Sequence, residues 1–457
     1  MRDRSDEFRL QQQRRRIRQR VRRSGAVDFF NVLTGPELLE KTEALLPEHR
    51  ERLYPPTVTL SMFIGQALNE DGSCQKAVNG WAARRAAEGL SAASVDTGAY
   101  CKARQRLPIE MVTELTRETG RLLSERASLG WRWRGRPVKL VDGTGISMPD
   151  TVENQARFPQ PSTQASGVGF PLARVVGVIC LATGAVLDAA MGPFEGQGNS
   201  ELDLFRRLSS AFCSGDVMLA DAYYCNYFLI ATMLQGGVDV IFEQNGARIT
   251  DFRRGEKLGP RDHVVRWSKP KNKPRWMQQA HYESFADAIT VREVDVDGRV
   301  LVTTMLKPLE VRKGTLSQLY GQRWNIELDL RNIKTTLGMN LLSCNTPQMN
   351  EKELWVHLLA YNLIRLLMAQ AASAAGVHPR QLSFKHTVQL WMEWTVRRLP
   401  SNAKHDRTLF NHIARITVGD RPGRVEPRAR KRRPKPYPWL KIPRIEARQR
   451  IRLYGHL

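Results

Sequence analysis

Apolar residues along this chain follow three successive patterns. From 26 to 130 they recur at helical spacing, which predicts helices over 35–46, 57–69, 73–88, 96–106 and 108–127, separated by short turns containing Pro and Gly. After the Trp- and Arg-rich stretch 131–137 the pattern shortens. Strands are predicted over 138–148, 173–181 and 185–191, then a helix over 200–212, a strand over 216–221, a helix over 227–235 and a strand over 238–243. The order is β-β-β-α-β-α-β. Residues 246–310 are rich in Arg, Lys, Pro and Gly, with strands expected at 288–296 and 299–306, and read as a β-rich insertion. Helical patterning returns over 315–337, 354–372 and 388–398, followed by a basic tail over 424–444.

The segment 315–337 carries the most information. Leu316, Leu319, Ile326, Leu330, Ile333 and Leu337 form an apolar stripe, with Thr315 as a candidate N-cap and Gly338 as a stop, so one continuous helix is expected. Tyr320, Arg323, Glu327 and Lys334 are separated by 3, 4 and 7 residues and fall on one side of that helix. A phenol, a guanidinium, a carboxylate and an ammonium presented together can grip phosphates and hold a metal. The competing reading is a solvated ion-pair ladder, in which Arg323 and Lys334 pair with Glu327 and Asp329, worth a few tenths of a kcal/mol per pair.

Composition narrows the choice. The chain has 457 residues, 42% of them hydrophobic, enough for several domains with a sizeable core. Lys and Arg outnumber Asp and Glu 70 to 46, a net charge of +24, which favours a polyanionic partner and nucleic acid first. The charge is clustered, with seven Arg within 14–23 and a run Arg-Ala-Arg-Lys-Arg-Arg-Pro-Lys over 428–435. A short helix carrying Tyr100, Lys102, Arg104 and Arg106 has the character of a recognition helix, although ordinary helix packing accounts for most of that pattern. Six scattered Cys (74, 101, 180, 213, 225 and 344) with no Cys-x-x-Cys argue against structural zinc and against a disulfide framework. The charged N-terminus does not read as a signal peptide. The apolar run 354–375 contains His357 and Arg365 and reads as a buried helix rather than a membrane span.

The β-β-β-α-β-α-β order is that of the ribonuclease H-like fold, in which the first and fourth strands are neighbours. Asp142 on the first and Asp221 at the end of the fourth would then meet, and Glu327 on a packed helix would complete a carboxylate trio. Clustered carboxylates repel one another, and hard divalent cations relieve that cost. Two Mg²⁺ about 4 Å apart would suit the set. The chain shows no His-Glu-x-x-His, Walker lysine loop or nucleophile elbow. The glycine-rich stretch 192–198 lacks the Lys-Ser/Thr of a phosphate loop.

Taken together, Tyr320-x₂-Arg323-x₃-Glu327-x₆-Lys334 resembles the Tyr-Arg-Glu-Lys signature of the insertion-sequence-four family of DDE transposases. Asp142 in Val141-Asp142-Gly143-Thr144 and Asp221 in Ala220-Asp221-Ala222-Tyr223 resemble the two aspartate motifs of that family. The helical N-terminal half and the basic end also match it, so the resemblance spans nearly the whole chain. It implies cut-and-paste transposition of an insertion sequence by metal-dependent cleavage of element ends, through a hairpin, and strand transfer into target DNA. Asp142, Asp221 and Glu327 would be the catalytic and metal-binding residues, with two Mg²⁺ for which Mn²⁺ can substitute. Tyr320, Arg323, Trp324 and Lys334 would contact DNA. Trp324 matches a family aromatic near a flipped base; a second, expected shortly before the helix, has no Trp counterpart in 299–306, and Trp267 and Trp276 lie earlier. The expected partners are terminal inverted repeats, target DNA and a second copy of the chain in a synaptic homodimer, in a bacterial cytoplasm at the nucleoid. The expected layout is a basic arm (1–25), a helical DNA-binding domain (26–135), a ribonuclease H-like core in two parts (136–245 and 311–375) around the insertion (246–310), and a helical, basic C-terminal region (376–457). The alternatives are an inactive or domesticated copy that binds DNA ends on the same fold, and a structure-selective nuclease without strand transfer. Intact carboxylates favour activity.

Overall fold

The computed structural model describes residues 45–46, 53–397, 403–419 and 439–455. The Arg cluster 14–23, the run 428–435 and most of the predicted helix 35–46 lie outside them.

Nine strands form one mixed sheet. They are β1 (Val138–Ser147), β2 (Leu172–Cys180), β3 (Val186–Pro193), β4 (Val217–Ala220), β5 (Asp239–Glu243), β6 (Glu256–Gly259), β7 (Asp262–Ser268), β8 (Ala288–Val296) and β9 (Arg299–Thr303). Their order across the sheet is β3-β2-β1-β4-β5-β9-β8-β7-β6. The first three strands form an antiparallel meander, β1-β4-β5 run parallel, and β9 joins β5 antiparallel. The strands after residue 250 therefore extend the same sheet instead of making one of their own.

Side-chain alternation along the central strands loads both faces of the sheet. Val217 and Leu219 of β4 belong to one core, Met218 and Ala220 to the other. On the second face lie α6 (Glu201–Arg206) and α7 (Tyr227–Gln235); the short α5 (Val152–Arg157) precedes β2. The first face receives the N-terminal helices α1 (Pro56–Leu68), α2 (Cys74–Ala87), α3 (Gly98–Arg106) and α4 (Ile109–Glu125) through α4, together with the long helix Pro347–Ala375. That helix follows α8 (Gln279–Ser284), α9 (Lys313–Gly321) and α10 (Trp324–Arg331), and is α11. It begins at a Thr346 cap with Pro347 in its first turn and stops at Gly376 in the left-handed conformation. It is long and apolar enough to cross a membrane, but 72% of its most apolar window is buried within the protein, as expected for a helix that is apolar all round. Three helices follow, α12 (Phe384–Arg397), α13 (Ala403–Ala414) and α14 (Arg444–Tyr454). All six cysteines are free.

Two expectations change here. The segment 315–337 is not one helix: α9 begins at Lys313, the chain passes through Gln322–Arg323, α10 follows, and Asn332–Thr336 is a π-helical turn. Insertions of this kind recur at functional sites because they re-aim side chains. The recognition-helix character of α3 is reduced to Lys102 and Arg106, which stay exposed. Tyr100 and Arg104 are buried; both bond to Gln66, and Arg104 lies over the Phe63 ring at 4.4 Å.

The approach of α4 to the sheet depends on a glycine. A Cβ on Gly120 would lie 2.1 Å from the Val186 carbonyl oxygen and 3.2 Å from Leu187 Cα, and both are backbone. Gly120→Ala is therefore expected to push α4 off β3 and cost about 1–3 kcal/mol, as overpacking does. Urea denaturation checks this, and an unchanged midpoint would show that the close approach is not needed.

Candidate active site

The parallel register of β1 on β4 pairs Leu140 with Leu219. Two residues further along each strand stand Asp142 and Asp221, so the sheet itself brings them level. Asp142 is still within β1, with its own carboxylate accepting from the Gly143 amide at 2.8 Å. Asp221 lies just past β4 and caps the following turn, accepting from the Tyr223 amide at 2.9 Å. Burial pushes the Asp142 carboxyl up to about 7; the Gly143 amide opposes this, while Asp221 and Glu201 reinforce it.

The signature segment arrives alongside. Buried Arg292 pairs with Asp262 and donates to the Val311 carbonyl at 2.7 Å, fixing the chain just before α9. The Arg323 guanidinium donates to Glu327 at 3.1 Å and is close enough to Asp142 to favour its ionised form. Burial opposes the charge on Arg323, but Tyr320, Glu327 and Asp142 outweigh it and its pKa lies above the ordinary value. Lys334, in the π-turn, donates to Thr144 Oγ1 at 3.0 Å, two residues beyond Asp142 on β1. Burial lowers its pKa. Tyr320 is buried, its hydroxyl donating to Glu243 at 3.1 Å; burial and that carboxylate raise its pKa. Trp324 is 55% exposed.

The ion-pair ladder is thus present only in part. Arg323 holds Glu327, but Asp329 is fully buried and bound by Tyr361, Arg365 and Arg380, and Lys334 reaches β1. Of the earlier tryptophans, Trp267 is buried with its indole N–H on Glu293 at 2.7 Å. Trp276 is exposed beneath the Arg206 guanidinium, 3.4 Å from its ring centroid.

The donor chemistry fits a hard divalent cation: carboxylates face one another in a partly desolvated cleft that backbone amides and nearby Arg side chains only partly offset. Among the described residues, however, no three His, Cys, Asp or Glu side chains are gathered as ligands of one ion. Glu327 is drawn instead to Arg323. Reasoning from the sequence passed over Glu201, Tyr224, Thr144 and Glu243. Only Glu201 left a local signal, as the residue after Ser200 in a Ser-x-x-Asp capping box that opens α6.

Residues 133–363, which hold both aspartates and the whole signature segment, match the model of a transposase DDE domain. The class of this protein is therefore a DDE transposase. Over 359 residues, 75% of this chain and 78% of the relative, the sequence is 30% identical to the transposase InsG for insertion sequence element IS4 of Escherichia coli strain K12. The chain belongs to the insertion-sequence-four family of DDE transposases. Among solved structures, a piggyBac transposase synaptic complex with hairpin DNA is similar at TM-score 0.42 and 12% identity, over 85% of this chain and 82% of that one.

Proposed function

We propose that this insertion-sequence transposase cuts the ends of its element and joins them to target DNA at the edge where β1 and β4 bring Asp142 and Asp221 level. The core around that edge is read as ribonuclease H-like, since β1-β2-β3-α6-β4-α7-β5 has that order and β1 lies beside β4. The observation that carries the reading is this parallel register, with the Tyr-Arg-Glu-Lys segment delivered to the same edge. Asp142, Asp221 and Glu327 would hold Mg²⁺ or Mn²⁺. Bound there, two divalent ions activate an attacking oxygen and stabilise a leaving one. Glu327 would exchange Arg323 for the cation, and Arg323, once released, would turn to DNA phosphate.

Water attacks phosphorus at the element end and the P–O3′ bond breaks, freeing a 3′-hydroxyl. That hydroxyl attacks phosphorus in the opposite strand and displaces the flanking strand as a 3′-hydroxyl, giving a hairpin, which a second water reopens; the regenerated 3′-hydroxyl then attacks phosphorus in target DNA and displaces a target-strand 3′-hydroxyl. Arg323 and Lys334 would bind the phosphates, Tyr320 would sit at the wall of the cleft, and the exposed Trp324 ring would stack on an extruded base. The net charge of +24 supports a DNA partner, and joining two ends calls for at least a homodimer. The helical region before β1 and the regions containing the two basic clusters are read as further DNA-binding segments.

The experiment is incubation of the full chain with paired element-end duplexes and Mg²⁺, followed on denaturing gels. Nicked, hairpin and joined products are expected in sequence. Binding without any nick would establish the inactive reading, and nicks without joining the nuclease reading.

Lys334→Ala is expected to weaken end binding while thermal stability stays within about 1 kcal/mol, the range for substitutions away from structural features. The reason is that, among the described residues, Lys334 has a single hydroxyl partner and no carboxylate partner for its ammonium. Melting and gel-shift titration on one preparation decide it; reduced stability with unchanged end binding would make Lys334 a structural strut.

A further inference from the structure

Glu201 lies at the first turn of α6, outside every motif of the signature. We propose that Glu201 is a fourth carboxylate of this centre, acting on the same divalent cations as Asp142 and Asp221, with the Tyr224 hydroxyl orienting it. The proposal rests on the metal-dependent reading above.

Four observations carry it. The Glu201 carboxylate lies directly against β1: a Cβ on Gly143, the residue after Asp142, would be 2.4 Å from Glu201 Cδ and 2.6 and 2.7 Å from its two oxygens. Glu201 is not needed to cap its helix, because Ser200 and Asp203 close the capping box between them. Among the described residues it forms no ion pair either. Burial raises its pKa and Arg174 only partly opposes this; that guanidinium is turned to the Asn199 carbonyl at 3.5 Å and over the Phe194 ring at 4.7 Å. Lastly, Tyr224 is fully buried beneath the cluster; its hydroxyl closes no full hydrogen bond, and it interacts with the Glu201 carboxylate, whose charged form it favours. The charges that this hydroxyl meets are Glu201, Asp142 and Asp221. Burying an unpaired hydroxyl costs free energy, and here the only anions it meets are the carboxylates of the centre.

The arrangement follows from the fold. The Asp142–Asp221 pair is reached from one side by α10 and from the other by α6, because these helices pack on opposite faces of the sheet. With Glu327 clasped by Arg323, Glu201 is a carboxylate whose charge both Asp142 and Asp221 meet, although the three are not drawn together as ligands of one ion. The competing account gives Glu201 only a favourable place at a helix N-terminus.

The test is Mn²⁺ binding to the full chain without DNA, read from the electron paramagnetic resonance of free Mn²⁺. Wild type, Asp142→Asn, Glu201→Gln, Gly143→Ala and Tyr224→Phe are compared, with melting temperature measured with and without Mn²⁺. Glu201→Gln should weaken Mn²⁺ binding roughly tenfold or more and shrink the Mn²⁺-induced rise in melting temperature, with a smaller loss for Tyr224→Phe. Gly143→Ala keeps the charge but displaces the carboxylate. Its new Cβ meets the end of a flexible side chain, so the fold survives, and it carries the test should Glu201→Gln fail to fold. Its Mn²⁺ affinity should fall as well. Wild-type affinity in both Glu201→Gln and Gly143→Ala, with a loss in Asp142→Asn, overturns the proposal and leaves the reading of the centre intact. Wild-type affinity in all three overturns both.

Discussion

Asp142→Asn is expected to slow nicking of an element end by a factor of about a thousand or more, ~4 kcal/mol of transition-state stabilisation, while end binding persists. The same substitution should leave the melting temperature unchanged or raise it. The amide keeps the volume of the side chain, and its oxygen can still accept from the Gly143 amide, which now bonds the carboxylate at 2.8 Å. What it removes is a negative charge held in a desolvated position beside Asp221 and Glu201, the circumstance that pushes this carboxyl up to about 7. Like charges confined together are a cost the folded chain bears for function, and neutralising one relieves it. Asp221→Asn and Glu327→Gln should also abolish nicking. Glu327→Gln differs in one respect: it also loses the charged partner of Arg323, so its stability should fall slightly instead of rising. Nicking is followed on labelled duplexes in Mg²⁺, and binding by gel shift in chelator. Asp142→Asn protein that nicks at more than about a tenth of the wild-type rate would remove Asp142 from the chemistry.

The largest loss of stability is expected from Asp329→Ala, about 3–5 kcal/mol, as for removal of one partner from a buried ion pair. Asp329 lies two residues beyond Glu327 on α10 and has no exposure to solvent. One of its oxygens accepts from Tyr361 at 2.9 Å and from Arg365, the other from Arg380 at 2.8 Å. Arg380 continues to the Leu181 and Cys180 carbonyls after β2, and Arg365 fills the space beside Gly184 in the β2–β3 turn. Three helical segments and the sheet therefore meet at one carboxylate. Without it, two guanidinium groups are left in a low-dielectric interior with no anion between them. Asp329→Asn retains acceptors for part of the network and should cost less. Adding Arg365→Met to Asp329→Ala should recover part of the loss, because the stranded charge goes with it. Chemical denaturation of wild type, Asp329→Ala, Arg365→Met and the double variant gives the cycle; strictly additive losses would show that Asp329 and Arg365 do not act on one another.

The sequence by itself determined the order and nature of most elements. Short apolar runs in β1, β2 and β3 and helical spacing in α1 and α11 are local properties of the chain. The same locality made the two aspartates and the spacing of Tyr320, Arg323, Glu327 and Lys334 legible. Gly338 as a stop was legible too, since its φ of 76° is one that side chains with a Cβ avoid. Only the tertiary structure decided the rest. Tyr100 and Arg104 carry the same composition whether they face DNA or Gln66 and Phe63, and packing against α1 settled the matter. Asp329 reads on paper as one more charge on a polar helix, yet Arg365 and Arg380, 36 and 51 residues away, make it the most buried acid of α10. The break at Gln322–Arg323 and the π-turn after Arg331 turn Lys334 onto Thr144, 190 residues earlier. Glu201 reaches the edge beside Asp142 because this mixed sheet puts residues distant in the chain side by side and packs different helices on its two faces. Periodicity reports which face of an element is apolar; which partner covers that face, and which polar groups are enclosed with it, depends on contacts that no local pattern encodes.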